Sequence, residues 1–264
     1  MYAIRLSKAG RLGLALIWIA LLGVISPRSA FGGDAPGIDP RATELLKKMS
    51  DYLANLKEFS MRGTSTIEYV LKDGQKLLFT GASDVYIQRP NHARANRVGD
   101  VTDIEFYYDG STVSLFGKQK QYYATAAAPP TLDAMLDHIR TRLDMEPPAA
   151  DLLYSDVYNG LMADVTEARY ISPSVIGGAK THHLAFRGKD VDWQIWIEDG
   201  DRPLPRKYLI VTKGTQGEPE FGVELSNWNV SPKLNTAMFT FKPPPTATKV
   251  DFLAAKEVAA AARK

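Results

Sequence analysis

The stretch DWQIWIEDGDRPLPRKYLIV, residues 192–211, sets the fold class. Val191, Trp193, Ile195 and Ile197 alternate with Asp192, Gln194 and Glu198, the period of a strand with one apolar and one polar face. Glu198-Asp199-Gly200-Asp201 reads as a hairpin turn in which glycine supplies the unusual backbone geometry. A second apolar run then returns beside the first. Trp196 breaks the pattern, because it is a large aromatic on the polar face.

The same alternation extends in both directions. Over 59–71, Phe59, Met61, Ile67, Tyr69 and Leu71 oppose Arg62, Thr64, Thr66 and Glu68, and Lys72-Asp73-Gly74 turns the chain. Residues 75–88 carry Leu77, Phe79, Val85 and Ile87 opposite Thr80, Asp84 and Gln88. A strand is expected near 92–98. Ile104, Phe106 and Tyr108 run into Asp109-Gly110, a second hairpin signal, and 111–124 continue the sheet. Further strands are expected at 166–173, 180–187, 191–198, 205–213, 219–230 and 237–242.

Three stretches have helical period instead. Asp39 as N-cap and Pro40 at the first position open a helix with Leu45, Leu46, Met49, Leu53 and Leu56 on one stripe. Leu132, Met135, Leu136, Ile139 and Leu143 mark an amphipathic helix over 131–145. After Pro147-Pro148, residues 148–164 carry Leu152, Leu153, Val157 and Leu161. The order predicts an α+β fold: a curved antiparallel sheet, an incomplete barrel of about 10–11 strands, wet on one side and wrapped around helices.

Arg5, Lys8 and Arg11 precede an uncharged apolar run over 12–25, and Ala30-Phe31-Gly32 has the small residues of a cleavage site. Residues 1–32 are therefore expected to be a secretory signal cleaved after Gly32, its apolar run being shorter than the ~18–20 residues of a spanning helix. The expected domain is 33–252, followed by an Ala-rich tail over 253–264. Of 32 basic residues, four lie in the signal, which leaves 28 against 30 acidic ones. A nearly neutral chain without a Lys/Arg block argues against a nucleic-acid partner. The chain has no cysteine, which excludes thiolate catalysis, a lipobox and cysteine-based zinc sites.

QRPN at 88–91, YYDGSTVSLF at 107–116, FTFKPP at 239–244 and Val250-Asp251 occur in an order similar to the periplasmic lipoprotein-carrier superfamily. Within it, DWQIWIEDGDRPLPRKYLI and ELSNWN (224–229) resemble an uncharacterised family of predicted periplasmic proteins. The resemblance implies an incomplete antiparallel barrel capped by helices, with an apolar cavity for acyl chains. It also implies that Arg89 latches the helical lid. Taken alone, Arg89 reads either as a donor to helix-end carbonyls or as a solvated strand-end arginine.

Met61, Phe79, Val85, Phe106, Leu115, Met135, Ile139, Trp193, Ile195, Val223 and Leu225 lie on apolar faces. They read either as the wall of a ligand cavity or as ordinary core. Trp196 and Trp228 both fall on the polar side of their strands, where they are either covered and stacked, with Arg206 or Lys207 between them, or exposed as a partner patch. His182 and His183 are adjacent in a strand, so they point to opposite faces and share no ion. Asp100, Asp103 and Glu105 lack the ligand alternation of a calcium loop. No nucleophile elbow or phosphate-binding loop is present. The expected function is non-catalytic binding or carriage of a hydrophobic ligand in the periplasm, lipid or lipidated protein, without cofactor or metal. A sensor or interaction module built on the same sheet is the alternative, and a hydrolase the remote one.

Overall fold

A computed structural model describes residues 37–145 and 147–252. The expected signal segment and the Ala-rich tail lie outside the described residues. Helix α1 (Pro40–Asn55) starts where the sequence places it: the Asp39 side chain accepts from the Arg41 amide at 2.8 Å, and Pro40 holds the first position. The second Asp39 oxygen accepts from the amide of Tyr170, so one carboxylate fixes both the helix start and a strand.

Twelve strands form one sheet. The first run is β1 (Glu58–Val70), β2 (Lys76–Gln88), β3 (His92–Gly99), β4 (Asp103–Tyr108), β5 (Thr112–Gly117) and β6 (Tyr122–Ala127). Helix α2 (Leu132–Arg142), a 3₁₀ turn at Ala150–Leu153 and helix α3 (Val157–Met162) intervene. The second run is β7 (Val165–Ile176), β8 (Ala179–Gly188), β9 (Val191–Glu198), β10 (Pro205–Thr212) and β11 (Glu220–Asn229), and β12 (Thr248–Lys249) ends the order. The strands lie side by side as β12-β6-β5-β4-β3-β2-β1-β11-β10-β9-β8-β7. All pairs are antiparallel except β12 with β6, and the two runs join at β1 with β11. The sheet stays unclosed, as expected, with one strand more than the upper figure.

The helices share one face of this sheet. Leu46, Met49 and Leu53 of α1 are buried against Phe186, Trp193, Ile195 and Tyr208. Phe186 stacks on Trp193 at 3.9 Å between ring centroids. Each such fully buried side chain contributes about 1.5–3 kcal/mol. Leu132, Met135, Leu136 and Ile139 of α2 pack over Phe59, Ile87, Ala93, Tyr108 and Val113.

The C-terminal segment departs from expectation. Residues 237–242 form no strand. A 3₁₀ turn at Thr236–Phe239 carries the chain across the outer face instead. Phe239 is fully buried and packs on His92, and Phe241 sits among Tyr107, Phe116 and Tyr123 at 5.3–5.7 Å. FTFKPP alternates like a strand, but its aromatics fill a gap between side chains rather than pairing with backbone.

Candidate functional site

Pairing register decides which side chains meet between α2 and the sheet. On β1, Met61, Gly63 and Ser65 face Val85, Ser83 and Gly81 of β2. Across β2 and β3, Val85 faces Ala95 and Ser83 faces Arg97. Ala95 pairs on with Phe106 of β4, and Phe106 with Leu115 of β5. On the other side, Gly63 and Ser65 pair with Leu225 and Val223 of β11. These residues share one face because side chains alternate strictly along each strand.

Between this floor and α2 lies a cavity of about 210 Å³. One bound water needs only about 10–15 Å³ of such space. Its floor comes from Met61, Val85, Phe106, Leu115, Val223 and Leu225, and its roof from Met135, Ile139, Pro147, Pro148 and Leu153. Eight of the eleven residues expected in a cavity wall therefore line it. The lining holds arginine and serine as its polar side chains and no histidine or carboxylate.

Three expected wall residues lie elsewhere. Trp193 and Ile195 sit on the same face but under α1, in the half of the sheet that helix fills. Phe79 pairs with Ile67 out on the β1–β2 hairpin, beyond the reach of α2.

Arg89 spans floor and roof. Its guanidinium donates to the carbonyls of Leu153 at 2.9 Å and Tyr154 at 3.2 Å, at the end of the 3₁₀ turn. Burial lowers the Arg89 pKa, and the Asp133 carboxylate pulls the other way. Asp133 itself accepts from the Ser155 amide at 3.0 Å and from the Ser155 hydroxyl. The Tyr154 hydroxyl donates to Asp137 at 2.8 Å, and burial with that bond pushes its pKa up to about 12. Arg140 pairs with Asp151 at 2.9 Å. The roof is thus pinned to α2 and, through Arg89, to the end of β2.

The two tryptophans do not share a face. Trp196 stacks on His183 on the outer surface at 4.1 Å, with the Lys207 ammonium 5.5 Å from its ring. The stacking cation is Lys207, since Arg206 pairs with Glu198. Trp228 faces inward. Asn227 has φ 51, and the β1–β11 register shifts between Ser60 and Arg62. This bulge flips the parity, so Trp228 packs on Phe59 at 5.8 Å and donates from Nε1 to the carbonyl of Pro205 at 3.1 Å. It is no part of an exposed patch. His182 and His183 point to opposite faces, His182 toward Tyr170 and Asp199, His183 toward Gln194. Among the described residues no group of three or more His, Asp or Glu side chains is placed to hold a metal ion.

The polar end of the cavity, Ser65, Ser83 and Arg97 over Gly63 and Gly81, is absent from the sequence-based wall. The signal was available: stepping back by two from Val85 gives Ser83 and Gly81, a polar and bare interval on an apolar face.

A family model described as "Predicted periplasmic protein (DUF2092)" matches residues 42–253. No curated protein matches the chain. Among solved structures, the chain is similar to the Mycobacterium tuberculosis lipoprotein LppX, at 15% identity and TM-score 0.49 over 75% of this chain and 99% of that one. It is also similar to an uncharacterized conserved protein from Thermus thermophilus, at 11% identity and TM-score 0.47 over 80% and 99%. A LolA superfamily protein from Nitrosomonas europaea aligns at 11% identity and TM-score 0.39 over 76% and 97%.

Proposed function

The chain belongs to the DUF2092 family of predicted periplasmic proteins, and on that premise we propose that it binds a hydrophobic ligand, a lipid or a lipid-modified molecule, without catalysis. The observation that carries this reading is the apolar cavity of about 210 Å³ between α2 and the sheet. Natural interiors are close-packed, so unfilled space lined by Met, Leu, Val and Phe is a departure that needs a use. Each methylene moved from water into it gains about 0.8 kcal/mol. The lining offers no acid–base pair or activated nucleophile, which favours binding over chemistry.

In this reading Arg89 is the latch. It holds the roof shut by bonds to two backbone carbonyls, and their loss opens the cavity without dismantling the sheet. Native mass spectrometry of gently purified protein tests the reading: a co-purifying lipid mass is expected. A bare protein mass, together with no uptake of an apolar fluorophore, overturns it in favour of an interaction module.

A further inference from the structure

Of the two arginines that line the cavity, Arg97 is the one on its inner side of β3, two residues beyond Ala95 on the same face. Its Nη1 donates to the Ser65 hydroxyl at 3.0 Å. The guanidinium lies over Gly81: a Cβ built there would come within 3.1 Å of Nη2 and 3.2 Å of Cζ. Arg97 therefore reaches from β3 across β2 to β1, and a bare glycine backbone leaves it the room. Among the described residues no carboxylate forms an ion pair with it.

The other arginine at this wall, Arg94, is committed to the opposite face of its strand. It sits 4.8 Å from the Tyr107 ring and reaches toward the Met238 carbonyl. The cavity thus has an apolar end under α2, floored by Ala93 and Ile87, and a cationic end at Arg97. The four residue steps from Ala93 to Arg97 separate the two ends by about 13 Å. A planar fork of donors with one bond made and no counter-ion matches carboxylate and phosphate oxygens.

We propose that the ligand is a single-chain amphiphile with an anionic head, its head held by Arg97 beside Ser65 and Ser83 and its chain running beneath α2. This deepens the reading of the cavity as a lipid site and rests on it. It separates two ligand classes: a fatty acid or phosphate-headed lipid engages Arg97, whereas the uncharged acyl anchor of a lipidated protein does not.

The test is displacement of N-phenyl-1-naphthylamine from the purified protein at pH 8 by dodecanoic acid, dodecyl phosphate and methyl dodecanoate. The acid or the phosphate is expected to displace at roughly 10- to 100-fold lower concentration than the ester. Whichever anion is preferred identifies the head as carboxylate or phosphate. Arg97→Leu should remove the anions' advantage over the ester, while Arg97→Lys retains part of it. Equal displacement by anions and ester in the unaltered protein overturns the headgroup assignment and leaves the apolar site standing. Survival of the preference in Arg97→Leu overturns it equally. Failure of all three compounds, with no fluorophore uptake, removes the site and the assignment together.

Discussion

Arg89 at the end of β2 and Leu153 at the end of the 3₁₀ turn, 64 residues apart in sequence, are joined by a guanidinium-to-carbonyl bond of 2.9 Å. This bond and its companion to Tyr154 tie the sheet to the roof of the cavity. The roof is otherwise held from α2, by Asp133 to Ser155, Asp137 to Tyr154 and Arg140 to Asp151. Removing the Arg89 bonds should therefore loosen the roof from the sheet while its contacts with α2 remain.

Arg89→Leu should lower stability by about 1.5–3 kcal/mol, the range for hydrogen bonds from a charged donor. It should shorten ligand residence more than it lowers stability. Urea denaturation and probe dissociation kinetics check the pair. A protein that loses stability but releases ligand at the original rate would contradict the latch.

Filling the cavity should abolish binding without unfolding the sheet. Ala95 sits on the floor facing empty space, so Ala95→Phe meets a void where a closed core would impose an overpacking cost of about 1–3 kcal/mol. The expected outcome is an unchanged or higher melting temperature with loss of fluorophore uptake. Calorimetry and a binding titration read the two quantities separately.

Asn227 holds the bulge that turns Trp228 inward, at a φ of 51 that β-branched residues resist. Asn227→Val should cost about 1–2 kcal/mol and shift Trp228 emission to the red as its ring leaves Phe59. Asn227→Gly, free of the steric conflict, should keep both stability and emission near the original values. Equilibrium unfolding followed by tryptophan fluorescence distinguishes the two variants.

Burial lowers the pKa of His183, opposed by its bond to Gln194 and assisted by Lys207. The folded state therefore favours neutral imidazole. Stability from this group is complete above the unfolded pKa of about 6.5 and falls as pH drops through that value toward the lower folded pKa. His183→Asn should flatten that part of the stability profile. Thermal melts between pH 5 and about pH 8 check it.

Much of the architecture was legible. The Asp39-Pro40 start, the Leu46, Met49 and Leu53 stripe and the alternation through Trp193 and Ile195 each state a local period that tertiary packing then respects. The wall of the cavity was legible only in part. Periodicity says that Trp193 and Met61 face the same way, but not that α1 covers one while α2 stands off from the other. Periodicity puts Trp228 on the outer face, but a single extra residue at Asn227 inverts every face beyond it, and nothing in ELSNWN marks the bulge except an asparagine that tolerates positive φ. An arginine such as Arg97, with Ala95 and Gly99 as its same-face neighbours, reads as surface in the sequence, and only the fold brings Gly81 beneath it.

The aromatic strap over the outer surface has a mechanical consequence. Phe241 grips rings from three neighbouring strands, β4, β5 and β6, and Phe239 is fixed against His92 of β3. Of those strands, β3, β4 and β5 back the hollow, so the strap works as an external brace at its rear. If the hollow takes a ligand as proposed, a wall braced from outside leaves the roof over 147–154, held by Arg89, as the part whose displacement would admit it.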